Sequence, residues 1–105
     1  MLTVNVVVLA GSVAADPVQR RMPSGDEVTE LRLSVPEAGK RLLPLPIAVW
    51  DRSLARNALK GVGKGDEVLV HGLLARRFYR SGDSGRAVME VVATGIKKLE
   101  HAQTE

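Results

Sequence analysis

Cysteine is absent from this 105-residue chain, which removes disulfides, thiolate metal ligands and cysteine nucleophiles together and fits a reducing, cytoplasmic setting. Aromatic residues are almost as scarce. Trp50, Phe78 and Tyr79 are the only three, so any function that needs a flat π surface must draw on them. No apolar run approaches the ~20 residues that span a bilayer. The candidate Val4 to Ala10 is short, and no basic segment precedes it as a signal peptide requires. The two histidines, His71 and His101, lie far apart and have no second ligand at helical spacing, which argues against a metal or a cofactor. No carboxylate pair stands alone in an apolar setting and no serine sits in a nucleophile elbow, so there is no catalytic residue to name and an enzyme is not expected.

What is present has the balance of one folded domain: 45% hydrophobic residues and a mean hydropathy of +0.01, with no repeat and no low-complexity tract. A domain of this size buries only roughly 60–65% of its unfolded surface, so self-association has stability to add. Fifteen Lys and Arg against twelve Asp and Glu leave a net charge of +3, a mild pull towards a polyanion.

Thr3 to Ala10 is too β-branched for a helix and reads as a strand, interrupted by Gly11-Ser12. Asp16-Pro17 and Met22-Pro23-Ser24-Gly25-Asp26 carry turn chemistry, with chain reversal at Pro23 to Gly25. Between Val28 and Val35, Leu31, Leu33 and Val35 alternate with Glu30, Arg32 and Ser34, which predicts a strand with one buried and one wet face. The run Leu42 to Trp50 is strand-like, although Pro44 and Pro46 demote its start to an edge or bulge and leave Ile47 to Trp50 as the secure part. Asp51 to Lys60 is the one helical stretch, capped by Asp51 or Ser53 and ended by Gly61, Gly63 and Gly65. Val68 to Tyr79 and Val88 to Ala93 form a hairpin with its tip at Ser81 to Gly85. Three strands, a helix and a hairpin predict an all-β domain with one short helix over residues 1–99 with a short tail at 100–105; the helix between the third and fourth strands suggests an OB-fold five-stranded Greek-key barrel, with other small β-barrels left open by periodicity alone.

A protein that binds single-stranded nucleic acid needs cations along the phosphates and flat side chains on which bases stack. Arg76-Arg77-Phe78-Tyr79-Arg80 interleaves three arginines with two of the three aromatics. Strand alternation puts Arg77 and Tyr79 on one face and Arg76, Phe78 and Arg80 on the other, so one of the two aromatics is assigned to the core. Arg80 and Arg86 flank the hairpin tip and can approach a bound strand. A solvated hairpin whose charges guard an edge against aggregation is the competing account. On its own pattern Trp50 reads as packing at a barrel end. Gly61-Val62-Gly63-Lys64-Gly65 ends a helix instead of following a strand and lacks the Ser or Thr after Lys64, so it is a helix stop and not a phosphate loop.

The order of motifs resembles the bacterial single-stranded DNA-binding protein family. It runs from Asn5-Val6-Val7-Val8-Leu9-Ala10-Gly11 through Ala15-Asp16-Pro17 and Met22-Pro23-Ser24-Gly25 to Leu31-Arg32-Leu33-Ser34-Val35. Ile47-Ala48-Val49-Trp50, Lys64 to Leu74 and Glu90-Val91-Val92 continue it, over about nine-tenths of the chain. The resemblance implies sequence-independent binding and protection of single-stranded DNA in replication, recombination or repair. It also implies a homotetramer, with a dimer as the alternative, in a cytoplasmic, nucleoid-associated setting. Trp50 falls where that family places a stacking aromatic after its third strand, and Tyr79 falls on its hairpin aromatic with Arg77 as basic neighbour. Arg32 is the expected phosphate contact on the second strand, and Arg76, Arg80 and Arg86 complete the basic set.

Three departures qualify the resemblance. The loop Pro36-Glu37-Ala38-Gly39-Lys40-Arg41 is short and carries no aromatic, and Pro44 and Pro46 stand where relatives place a further aromatic and a basic residue. Each lost stack weakens binding by about 1–3 kcal/mol, so a smaller footprint is expected. The family's acidic, partner-recruiting tip is not found in Ala102-Gln103-Thr104-Glu105, and recruitment by that route is not expected. The alternative reading is a primosomal replication protein N-like OB module acting mainly through protein contacts.

Overall fold

Strands β1 (Val7–Arg21), β2 (Glu27–Ser34) and β3 (Leu45–Val49), helix α1 (Arg52–Ala58) and strands β4 (Glu67–Ser81) and β5 (Ser84–Lys98) follow one another in a computed structural model. The structure describes residues 1–38, 40, 43–81 and 84–100, with backbone alone at 79–81. The sheet closes on itself in the order β1-β2-β3-β5-β4, with β4 returning to β1. This is the expected five-stranded barrel with its helix between the third and fourth strands.

The first strand differs from its sequence expectation. It does not stop at Gly11-Ser12, and the turn chemistry read at Asp16-Pro17 does not end it, because β1 continues to Arg21. Two register shifts, between Val13 and Ala15 and between Ala15 and Val18, absorb the Asp-Pro pair as an irregularity in the β1–β2 ladder. A residue without an N–H is tolerated where the ladder is already broken. Gly11 marks a close approach: a Cβ there would run into the carbonyl oxygen of Ser34. The length of β1 lets Val7–Ser12 pair with β4 and Ser12–Arg21 pair with β2, which closes the barrel.

The reversal expected at Pro23 to Gly25 is present. The Gly25 N–H donates to the Met22 carbonyl at 2.8 Å, and Gly25 has φ +93°, a conformation costly for any other residue. In β2 the alternation holds, with Leu31 and Leu33 buried and Arg32 exposed. In β3 Pro46 stands inside the strand opposite Arg32. The parallel pairing of β3 with β5 starts only at Ile47, so the proline sits before that ladder begins.

Helix α1 is shorter than Asp51 to Lys60. Asp51 is its N-cap, with Oδ1 accepting from the Ser53 and Leu54 N–H groups at 2.9 and 3.1 Å. Leu59 lies beyond the last turn and is buried, and Gly61 at φ +76° turns the chain away. The glycine segment is a stop and turn, as expected, and its amides are occupied. Gly63 N–H donates to Asp66 Oδ2, Lys64 N–H to Asp16 Oδ1 and Gly65 N–H to the Val13 carbonyl, all at 2.8 Å. With those donors taken, no anion nest is left. The same contacts tie Asp16 and the β1 irregularity to the glycine segment that follows the helix.

The hairpin strands are longer than Val68 to Tyr79 and Val88 to Ala93, at fifteen residues each. The expected tip, Ser81 to Gly85, includes residues 82 and 83, which lie outside the described residues, as do Arg41, Leu42 and the tail from His101. The molecule measures 57 × 32 × 31 Å, because β4 and β5 run on past the barrel. The core is aliphatic: Val13, Leu31, Leu33, Ile47, Val68 and Val70 are among its most buried members. Phe78 does not join it, being 68% exposed. The face of β4 that holds Val68 and Val70 in the core leaves the barrel before it reaches Phe78, whose ring lies over Gly85 of β5 and is otherwise open to solvent. Assignment of one hairpin aromatic to the core is therefore not met by Phe78, and the Tyr79 side chain is not among those described.

Candidate nucleic-acid interface

Outward-facing residues of all five strands border a groove of about 750 Å³. Arg20 and Arg21 come from the end of β1, Arg32 from β2, Pro46 from β3 and Arg77 from β4, and Trp50 follows β3. Pairing explains their convergence. Arg32 lies opposite Pro46, and Arg77 lies opposite Val88, two residues before Glu90 on β5, so one face carries them all. Trp50 sits at the junction of β3 and α1, where the chain leaves the sheet. Its ring borders this groove and a second cleft of about 340 Å³ that reaches Arg52 and Arg56 on α1.

The groove arginines differ in their partners. Arg77 Nη2 lies 3.4 Å from Glu90 Oε1, and Glu90 is 5% exposed. The Arg77 guanidinium carbon stands 5.7 Å from the centroid of the Trp50 ring, within cation–π range. Its Nε–H is buried without an acceptor among the described residues. Arg20 Nε pairs with Glu30 at 3.0 Å and Arg21 Nη2 with Glu27 at 2.9 Å. Arg32 is exposed and has no carboxylate partner among the described residues. It is the groove arginine most available to a phosphate.

Glu27 stands between the two recesses. The hydrogen bond from Arg21 holds its carboxyl below the usual carboxylate range, and the nearby charge of Arg52 acts in the same direction. Arg52 Nε is 3.7 Å from it and Gln19 Nε2 donates to it at 2.9 Å. The carboxylate is thus engaged with its own protein, as are Glu30 and Glu90, which line the groove and pair with Arg20 and Arg77.

Of the residues expected at the site, the fold brings together Trp50, Arg77 and Arg32. It does not bring Arg76 or Arg86 into the groove. Arg76 pairs with Met89 on the other face, and Arg86 lies exposed farther out, opposite Tyr79. The Tyr79 and Arg80 side chains lie outside those described. Arg20 and Arg21 were not anticipated, because a first strand ending near Ala10 leaves them in a loop. Their place opposite Val28 and Glu27 follows from the long β1. Phe78 was also passed over. An exposed aromatic beside Arg76 offers a ring to solvent on the reverse of the hairpin, and only the reach of the hairpin past the barrel distinguishes it from a core residue. His71 is held locally, its Nδ1 3.2 Å from Thr94 Oγ1. No three potential metal-ligating side chains come together among the described residues.

Comparison with known proteins identifies the family and the fold. Residues 4–99 match the single-strand binding protein family. A single-stranded DNA-binding protein of Corynebacterium glutamicum is 35% identical over 102 residues, which cover 86% of this chain and 44% of that protein. Single-stranded DNA-binding protein 2 of Listeria innocua is 35% identical over 103 residues, covering 91% of this chain and 64% of that protein. The chain thus spans about half to two-thirds of the length of these relatives. A solved Plasmodium falciparum SSB in complex with single-stranded DNA has the same fold, with a TM-score of 0.76 at 20% identity over 95% of this chain and 98% of that one. A match that begins before β1 and ends after β5 takes in every element of the barrel, and the chain belongs to the single-strand binding protein family.

Proposed function

We propose that this chain binds single-stranded DNA without sequence preference and without catalysing a reaction, protecting the strand during replication, recombination or repair. The observation that carries the reading is the groove that Trp50 and Arg32 line together, Arg32 having no carboxylate partner among the described residues. A base stacks on the ring while the phosphates follow the cations. Tyr79 serves as a second platform, with Arg80 and Arg86 beside it at the hairpin end. Arg76 acts from the reverse face, beside Phe78. The absence of an aromatic from Pro36 to Arg41 and the prolines at 44 and 46 favour a short footprint. The domain extends over residues 1–99, with 100–105 as a tail, in a cytoplasmic, nucleoid-associated protein.

Self-association is part of the reading. Val4, Val6 and Val8 are exposed at alternate positions, with Met1 and Leu2 before them. A one-sided apolar run of this kind is unfavourable in water, and a second copy of the same chain is a suitable cover. A homotetramer is proposed, with a dimer as the alternative; sedimentation equilibrium distinguishes them.

Quenching of the single Trp50 by oligo-dT, with duplex DNA as the control and at two salt concentrations, tests the reading. Salt-sensitive quenching by the single strand alone is expected. Absence of quenching together with absence of a mobility shift overturns it and leaves the alternative, a primosomal replication protein N-like module acting through protein contacts.

A further inference from the structure

We infer that Glu90 is a positioning residue: it holds Arg77 against Trp50 as a charge-neutral part of the stacking platform, so that Arg77 is not one of the phosphate contacts. The inference rests on the proposed single-strand binding and deepens it by dividing the groove arginines into two kinds.

The geometry separates them. Arg77 is the groove arginine whose carboxylate partner is buried, Glu90 being 5% exposed. A buried carboxylate left without its cation is strongly unfavourable, so Glu90 keeps Arg77 whether or not a ligand is present. The same guanidinium stands over the Trp50 ring, 5.7 Å from the centroid. Held by the carboxylate on one side and the ring on another, it has a fixed place that a flexible phosphate contact does not need. Arg20 and Arg21 also have acidic partners, but their side chains are 64% and 73% exposed, and exposed pairs exchange readily for a phosphate. Arg32 has no acidic partner among the described residues. A pair that enters the complex already neutral releases no counterion when DNA arrives, whereas each free cation that meets a phosphate does.

Salt dependence therefore reads the difference. Binding of oligo-dT is measured by anisotropy across a salt series for the wild type, Glu90→Gln, the double variant Arg77→Gln/Glu90→Gln and Arg32→Gln, with circular dichroism to verify folding. The slope of log K against log salt changes by about 0.7 for each phosphate neutralised on a single strand. Glu90→Gln frees Arg77 and steepens the slope by about that amount, whereas Arg32→Gln flattens it by about the same amount. The double variant replaces a neutral pair with a neutral pair and keeps the wild-type slope. Because it leaves no buried charge unpaired, it decides the matter even where Glu90→Gln alone does not fold. A double variant that flattens the slope like Arg32→Gln, or a folded Glu90→Gln that leaves it unchanged, overturns the inference. A wild type that does not bind oligo-dT instead overturns the reading on which it rests.

Discussion

Trp50 is a half-buried residue with two neighbourhoods, the groove of Arg32 and Arg77 and the cleft against α1. Half burial suits a platform: one part of the indole anchors the side chain while another stays open to a base. Replacing it by alanine should weaken binding to oligo-dT by about 1–3 kcal/mol, the range for one lost stack. That is about fivefold to beyond a hundredfold in Kd. Phenylalanine, which keeps a smaller ring, should restore part of the loss. Anisotropy of a labelled strand measures both variants, since the intrinsic fluorophore is removed. An equal loss in the two would show that the indole N–H, and not the aromatic surface, is what matters.

At the level of elements, two local devices decide whether the groove is presented at all. Gly72 sits where β4 and β5 shift register, between the pairs His71 with Gly95 and Gly72 with Ala93. A Cβ there would run into the carbonyl oxygen of Val92, which belongs to the backbone and has little freedom to move. Gly72→Ala should destabilise the barrel by about 1–3 kcal/mol or more, the ordinary range for overpacking, read as a lowered urea midpoint. The second device is the Asp51 cap, which orients α1 immediately after Trp50. Asp51→Ala removes the acceptor for the Ser53 and Leu54 N–H groups and should lower stability by about 1 kcal/mol. Thermal unfolding followed by circular dichroism measures this, and Asp51→Ser should recover most of it.

Across the whole molecule, Glu27 links β1, β2 and α1 through Arg21, Gln19 and Arg52. Its pKa is lowered in the folded state, first by the Arg21 hydrogen bond and then by the charge of Arg52. A carboxyl with a depressed folded pKa contributes stability that is fully present above its unfolded value and is lost as pH falls through the folded one, which lies below the ordinary carboxylate range. The urea midpoints of wild type and Glu27→Gln should therefore differ at neutral pH and converge in acid. The difference should be modest and should shrink in salt, because the partners are exposed. Midpoints that stay apart to the same extent in acid would show that the substitution acts through packing instead.

Much of this molecule is legible along the chain because its signals are local. Alternation between Glu30 and Ser34 fixed the faces of β2, the turn chemistry of Pro23 to Gly25 marked the reversal, Asp51 or Ser53 marked the helix start, and the order of strands and helix, together with the family resemblance, pointed to an OB barrel. Conformational preference and side-chain period act over a few residues, so a linear reading recovers them. What lay beyond it depends on which strand lies beside which. Gly11 and Asp16-Pro17 look like breaks, yet β1 passes through them because the Ser34 carbonyl and the Lys64 amide lie beside them in space. Phe78 has the composition of a core residue and the position of a surface one, because the hairpin outruns the barrel. The division among the arginines was likewise invisible: Arg32 and Arg77 are the same residue type on outward faces, and only the fold puts a buried carboxylate beside Arg77 and, among the described residues, none beside Arg32. The sequence by itself determined the kinds of element, their order and the family resemblance, but not the extent of β1, α1 or the hairpin. The tertiary structure alone decided which cations are free, because a side chain's charge is neutralised by its neighbours in space, and those are set by strand pairing across long stretches of chain.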